Sequence, residues 1–285
     1  MIHGMINTLF KQSRILVNFI YPLKAGSYKV CRDLVMNKSG IEFGGPSNIF
    51  SPKGLLPLYP VVRSLDNCNY SSRTLWEGEI KFGYSYKYFK GKTGYQYVFD
   101  TSEFANIQSE KYDFVLGSHI IEHFANPIKA ILEWKRILKT DGILIVVIPH
   151  KDGTFDNKRT VTKLSHLIDD YKRNTEEDDL THIEEILEFH DLNSDNEAGT
   201  IEQFKERSLK NYENRCLHHH VFNTQLAVNL INYIGLQIIK VEPVLPCHIL
   251  VTAKKSSPFD NEELLSSLEK GDFRSYFKSD KSKLS

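Results

Sequence analysis

The 285-residue sequence contains no apolar run of the roughly 18 residues that a membrane-spanning helix needs. It also lacks net charge. Its 36 basic and 36 acidic side chains cancel, so nothing draws the whole chain towards nucleic acid. Cysteine is scarce: Cys31, Cys68, Cys216 and Cys247 stand apart, without a CxxC pair. That scatter leaves free thiols in a cytoplasmic protein as the simplest expectation. The first 24 residues mix Leu9, Phe10, Ile15, Leu16, Val17, Phe19 and Ile20 with Lys11, Arg14 and Lys24. An uninterrupted apolar region and a cleavage site are missing, so a secretory leader is not expected. A helical segment over residues 1–37 is expected instead, packed on the domain, with an amphipathic surface helix as the alternative.

What is present is a series of short apolar runs, each ending near a polar or glycine residue. "KSGIEF" ends before Gly44, "VVRSL" before Asp66 and "YQYVF" before Asp100. "DFVLG" ends at Gly117, and "ILIVVI" spans 143–148. The last is apolar throughout, as in a strand of a parallel sheet buried on both faces. Between the last two, Asn126 and Pro127 suit the start of a helix. Ile128, Ile131, Leu132, Ile137 and Leu138 follow at helical spacing, and Asp141-Gly142 turns the chain. Such a unit crosses over right-handed.

The pattern changes after Pro149. Residues 150–220 are polar and acidic, and seven of the eleven histidines lie between Pro149 and His220. "LTHIEEILEFH" and "IEQFKERSLKN" repeat at helical spacing, which predicts a helical insertion capping a site. The run beginning "DDYKRNTEEDD" is read as a solvated helix face. "FNTQLAVNLINYIG" then reads as a capped helix, and "LQIIKVE" and "HILVTA" as an antiparallel pair. Residues 256–285 are polar and expected to be a loosely attached tail.

The stretch "YDFVLGSHIIEHFANPIKAILEWKRILKTDGILIVVIP" resembles the class I S-adenosylmethionine-dependent methyltransferases, in the small-molecule subgroup. Asp113, Glu122, His123, Pro127, Arg136, Leu138, Lys139 and Gly142 fill that family's pattern, and Asp141 stands where a glycine is common. The resemblance covers about residues 38–150 and, more loosely, 221–253. It implies an α/β fold: a Rossmann-like, doubly wound, mostly parallel sheet with an antiparallel last strand. The helical insertion would follow the fifth strand, inside a methyltransferase domain over 38–255.

In that family the first strand ends in E-x-G-x-G-x-G. Here Glu42, Gly44 and Gly45 are kept, and Pro46 and Asn48 replace the later glycines. The two glycines still permit a positive φ and close approach of a ligand. The resemblance implies S-adenosyl-L-methionine as cofactor, with Gly44 and Gly45 against its methionine part and Glu42 near its amino group. Asp66 would hold the ribose hydroxyls, since a carboxylate accepts both; a turn role in "LDNCN" is the alternative. Asp100 and Thr101 would approach the adenine amino group or only cap a strand. Ser118 and His119 would lie beneath the transferred methyl group, and Glu122 and His123 would brace the loop.

Displacement at a sulfonium carbon relies largely on positioning, although a hydroxyl acceptor also gains from a base. His150 leads the base candidates, as the first residue past the fifth strand. His119, Asp156 and His166 follow, while Lys151, Lys158 and Arg159 could hold an anionic group. "RCLHHHVF" is unusual, but adjacent histidines point different ways, and only His218 and His220 share a face. No regular ligand spacing supports a metal, so none is expected. The expected reaction is methyl transfer to a small polar acceptor, with oxygen preferred and a hydroxylated, sugar-type metabolite suited to the insertion. The rivals are a non-catalytic binding or scaffold module and a nucleic-acid methyltransferase. "GSHI" stands where nucleic-acid enzymes that modify amino groups carry "NPPY" or "DPPY". A dehydrogenase is disfavoured because the first loop lacks G-x-G-x-x-G.

Overall fold

The computed structural model describes residues 23–99, 106–195 and 197–281. Asp100 and Thr101, and most of the N-terminal segment, lie outside the described residues. An eight-stranded sheet forms the centre, in the order β5-β6-β2-β1-β7-β8-β10-β9. Its first strands are β1 (Ser39–Phe43) and β2 (Ser64–Asn69), followed by β5 (Gly83–Phe89) and β6 (Lys92–Val98). β7 (Tyr112–Ser118), β8 (Leu138–Pro149), β9 (Gln237–Val244) and β10 (His248–Lys254) complete it. A separate hairpin pairs β3 (Arg73–Thr74) with β4 (Gly78–Glu79). Strands β6, β2, β1, β7 and β8 run parallel. β10 lies antiparallel between β8 and β9. The chain leaves β1 to one side for β2 and later returns to its other side for β7. This reversal opens a crevice beyond the strand C-termini, where doubly wound folds bind ligands.

β8 explains why its sequence is apolar without alternation. Leu144, Val146 and Ile148 join one core with Trp134 and Ile231, while Ile143, Ile145 and Val147 join the opposite core with Phe50, Leu58 and Tyr59. The first face is covered by α2 (Pro127–Ile137) and α7 (Thr224–Ile234). Asn126 caps α2 by accepting from Lys129 N at 3.0 Å. Gly235, at φ 77°, closes α7. The second face is covered by α1 (Tyr28–Val35) and an irregular segment around Phe50–Val62, not by a helix after β1.

Two differences from the expected strands matter for the site. The second strand runs 64–69 instead of 61–65, so Asp66 sits at its third position, opposite Ile41. The hairpin partner β5 was not expected. Its strand "GYSYKYF" turns through Lys90-Gly91, with Gly91 at φ 70°.

After β8 come α3 (Leu164–Arg173), α4 (Ile183–Phe189), α5 (Ile201–Leu209) and α6 (Asn211–Asn214). Ile186, Ala198, Phe204 and Leu217 give part of this insertion its own small core. The C-terminal segment, expected to be loose, is docked. Leu264, Leu265 and Leu268 of α8 (Glu262–Lys270) pack on the main core. Phe277 is 3% exposed and stacks on His150 with ring centroids 3.8 Å apart. Among the described residues no helix is long and apolar enough to cross a membrane.

Candidate active site

A cavity of about 790 Å³ opens beyond the C-terminal ends of β1, β2, β7 and β8 and reaches the inner wall of the insertion. Gly44, Asn69, Ser118 and His119 line its sheet end, and Trp76, Glu122, His123 and His218 line it further out. Of the residues singled out in the sequence for cofactor binding or catalysis, Gly44, Ser118 and His119 meet there. Glu42, Gly45, Asp66, His150 and Asp156 are not among its lining residues.

The first loop keeps its shape without a third glycine. Gly44 has φ 72°, and a Cβ there would press on Ile120. A Cβ on Gly45 would fall on the Glu42 carboxyl and the Tyr86 hydroxyl. Asn67 clasps the turn: its Oδ1 accepts from Gly45 N at 3.0 Å, and its Nδ2 donates to Gly45 O at 3.1 Å. Glu42 lies beneath, fully buried. It accepts from the Tyr59 hydroxyl at 2.8 Å and from Ser47 N at 3.1 Å, and also from the Tyr86 hydroxyl. Burial pushes its pKa up to about 7, although the Tyr86 and Tyr59 bonds oppose that. Its donors come from inside the protein, so Glu42 braces the loop from below.

Asp66 faces other partners. Its carboxylate accepts from Tyr95 N at 2.9 Å and from the Tyr112 hydroxyl at 2.7 Å, with Lys111 at 3.8 Å. The residue at the end of β2 that does reach the cavity is Asn69. Ending the strand at residue 65, four residues short of its true end, concealed it.

His150 is also drawn elsewhere. It is fully buried, its Nε2 lies 3.1 Å from Asp280 Oδ1, and its Nδ1 accepts from Asp152 N at 3.1 Å. Both ring nitrogens and one ring face are engaged by protein, so His150 anchors the C-terminal segment rather than facing an acceptor. Asp156 is buried behind His218, bonded to His218 Nδ1 at 2.5 Å and to Arg159 Nη1 at 2.9 Å. Burial alone would raise its pKa, but His218 and Arg159 outweigh that and hold it at about 2. Asp156 therefore orients His218 and does not itself meet the cavity. Arg159 spends its cationic group on Asp156, Glu185 and the His218 carbonyl. Lys158 pairs with Asp191.

His119 leaves β7 at φ 50° and donates its backbone N–H to Val147 O at 2.8 Å. Its Nε2 lies 2.9 Å from His248 Nδ1. Burial, then the neighbouring His248, pushes its pKa down to about 3. The ring is thus neutral near pH 7 and able to orient a hydroxyl, but it is a weak base.

The three adjacent histidines diverge. His218 faces the cavity, His219 Nε2 meets Asn211 Nδ2 at 3.0 Å, and His220 Nε2 donates to Ala125 O at 3.2 Å. His220 also joins His166 and His182, away from the cavity lining. Glu122 and His123 come from the turn Ile121–His123 just past β7. Glu122 is 1% exposed, and burial pushes its pKa up to about 7, with His218 opposing. The sequence placed Glu122 and His123 correctly after the fourth strand. It could not show that a residue 95 positions beyond His123 joins them.

This arrangement is a doubly wound fold with its cavity at the topological switch point, where such folds bind ligands. A family model described as "Methyltransferase domain" matches residues 85–146, from β5 into β8. Over those residues the chain is similar to a methyltransferase domain, as the motif run in its sequence also suggests. The sequence matches no curated protein. Similar solved structures include a SAM-dependent methyltransferase from Aquifex aeolicus, 11% identical, covering 80% of this chain and 89% of that one, with a TM-score of 0.43. Another is a SAM-dependent methyltransferase from Thermotoga maritima, 14% identical, covering 90% and 100%, with a TM-score of 0.42.

Proposed function

We propose that the chain methylates an oxygen of a small hydroxylated acceptor, of the sugar type, held between the sheet and the insertion. One observation carries this reading. The cavity continues from the glycine turn, past Ser118 and His119, to a wall of Trp76, Glu122, His123 and His218. The first part suits the cofactor and the second suits hydroxyl groups, because imidazoles and carboxylates accept their protons. Cofactor contacts are assigned to Gly44, to the β2 end at Asn69 in place of Asp66, and to Ser118. His119 orients the acceptor hydroxyl beneath the methyl group. Five carboxylates (Glu77, Glu122, Glu177, Asp195 and Glu197) line the cavity against two arginines, Arg207 and Arg215, and this acidic excess favours a small acceptor over a polyanionic nucleic acid.

The test is calorimetric titration with S-adenosylmethionine and S-adenosylhomocysteine, followed by transfer of labelled methyl to a panel of sugars and polyols. Saturable binding is expected, about tenfold weaker in Asn69→Ala, roughly the loss of one hydrogen bond. NMR of the product distinguishes an O-methyl from an N-methyl group. Folded protein that binds neither ligand would overturn the reading, and a product methylated only on nitrogen would overturn the oxygen assignment.

A further inference from the structure

We propose that Glu122, His123 and His218 form a divalent-cation site in the wall of the cavity, with open coordination positions facing the acceptor space. One ligand atom from each residue lies within 4.8 Å of the others. The Glu122 carboxylate stands 3.8 Å from His123 Nε2 and 4.0 Å from His218 Nε2. Two donors held about 2.1 Å from one ion stand roughly 3 to 4 Å apart, so a small inward movement completes the set.

The surroundings prepare each donor. His123 Nδ1 lies 3.1 Å from Leu217 O. A carbonyl can only accept, so the proton sits on Nδ1 and the Nε2 lone pair is free. His218 Nδ1 is held by the Asp156 carboxylate at 2.5 Å, which leaves its Nε2 lone pair towards Glu122 when the ring is neutral. A carboxylate behind an imidazole is the usual outer support of a metal-binding histidine. Arg159, itself 1% exposed, fixes Asp156 in turn. Glu122 supplies an independent observation. Its carboxyl is almost fully buried, and neither oxygen has a hydrogen-bond partner. A buried carboxylate is costly to leave so, and a cation would satisfy it.

The other histidine groups are less suited to this role. His119 Nε2 and His248 Nδ1 already bond each other at 2.9 Å. His220 turns its Nε2 to Ala125 O, and His166, His182 and His220 do not line the cavity. The Glu122 set combines two imidazoles and one carboxylate, all lining the cavity. Three protein ligands with room for more suit an ion of the manganese-to-zinc series that also takes an external oxygen. The acceptor part of this proposal rests on the methyl-transfer reading; the metal site itself does not.

The test uses the full chain, stripped with a chelator and titrated with Co2+ while calorimetry and the visible absorption are followed. One ion per chain is expected. Its affinity should fall at least 100-fold in Glu122→Gln and in His123→Asn, and stay within about threefold of wild type in His182→Asn. Azide added to the Co2+ form should shift its absorption, reporting an open position. S-adenosylmethionine binding and thermal unfolding, measured on the same samples, show that each variant remains folded. No stoichiometric ion, or an ion lost in His182→Asn and kept in folded His123→Asn, would overturn the site. A bound ion indifferent to azide would overturn the open position. Binding of S-adenosylmethionine without the ion would refute the metal proposal alone. The ion without S-adenosylmethionine would support the site and refute the methyl-transfer reading.

Discussion

Replacing Glu42 by Gln tests whether the first loop rests on a buried, proton-holding carboxyl. The fully buried group has a folded-state pKa of about 7 against an ordinary value of 4.5. Between those two pH values the folded chain binds a proton that the unfolded chain has released. Stability from this group is therefore complete below about pH 4.5 and declines as pH rises to about 7. The gap of about 2.5 units, at roughly 1.36 kcal/mol each, corresponds to about 3 kcal/mol. Glutamine does not titrate, and its carbonyl can accept from Tyr59, Tyr86 or Ser47. The stability of Glu42→Gln relative to wild type should rise by about 3 kcal/mol from pH 4.5 to 7.5 and be flat beyond. Urea unfolding of both proteins across that range measures it, and taking the difference removes the other titrating groups. A flat difference would mean that Glu42 has an ordinary pKa. A falling difference would mean that its three donors stabilise the charged form by more than burial penalises it.

Gly45→Ala should lose about 2 kcal/mol or more and bind S-adenosylmethionine weakly, because its methyl group overlaps Glu42 and Tyr86; urea unfolding and calorimetry check both. Trp134→Ala should lose about 3 to 5 kcal/mol, since the indole is fully buried and stacks on Phe43 at 4.8 Å; denaturant unfolding measures it. His150→Ala should expose the chain after residue 256 to protease while leaving methyl transfer by folded protein within about threefold, as expected where an anchor but no reacting group is lost. Turnover lost with the tail still protected would return His150 to catalysis.

The elements that set the fold were legible because local chemistry dictates them. Asn126-Pro127 starts a helix, Gly235 ends one, and a six-residue apolar run has to be buried on both faces. The site was less legible because its residues are defined by what they turn towards. Asp66 and Asn69 lie three residues apart on one strand, and only the full extent of β2, with Asn69 paired to Val98 of β6, shows that Asn69 is the one at the end. His150 follows β8 directly, as a catalytic residue of this fold would, but Asp280, 130 positions later, had already claimed its ring. The triple histidine was conspicuous in sequence and ambiguous for the same reason: neighbouring side chains diverge, so the partner of each comes from a different part of the chain. Asp156 selects His218, Asn211 selects His219, and the Ala125 carbonyl selects His220. Of these, only His218 is turned towards the cavity with a carboxylate behind it. Its distinction from its neighbours is a property of the fold, set by where Asp156 and Arg159 are buried.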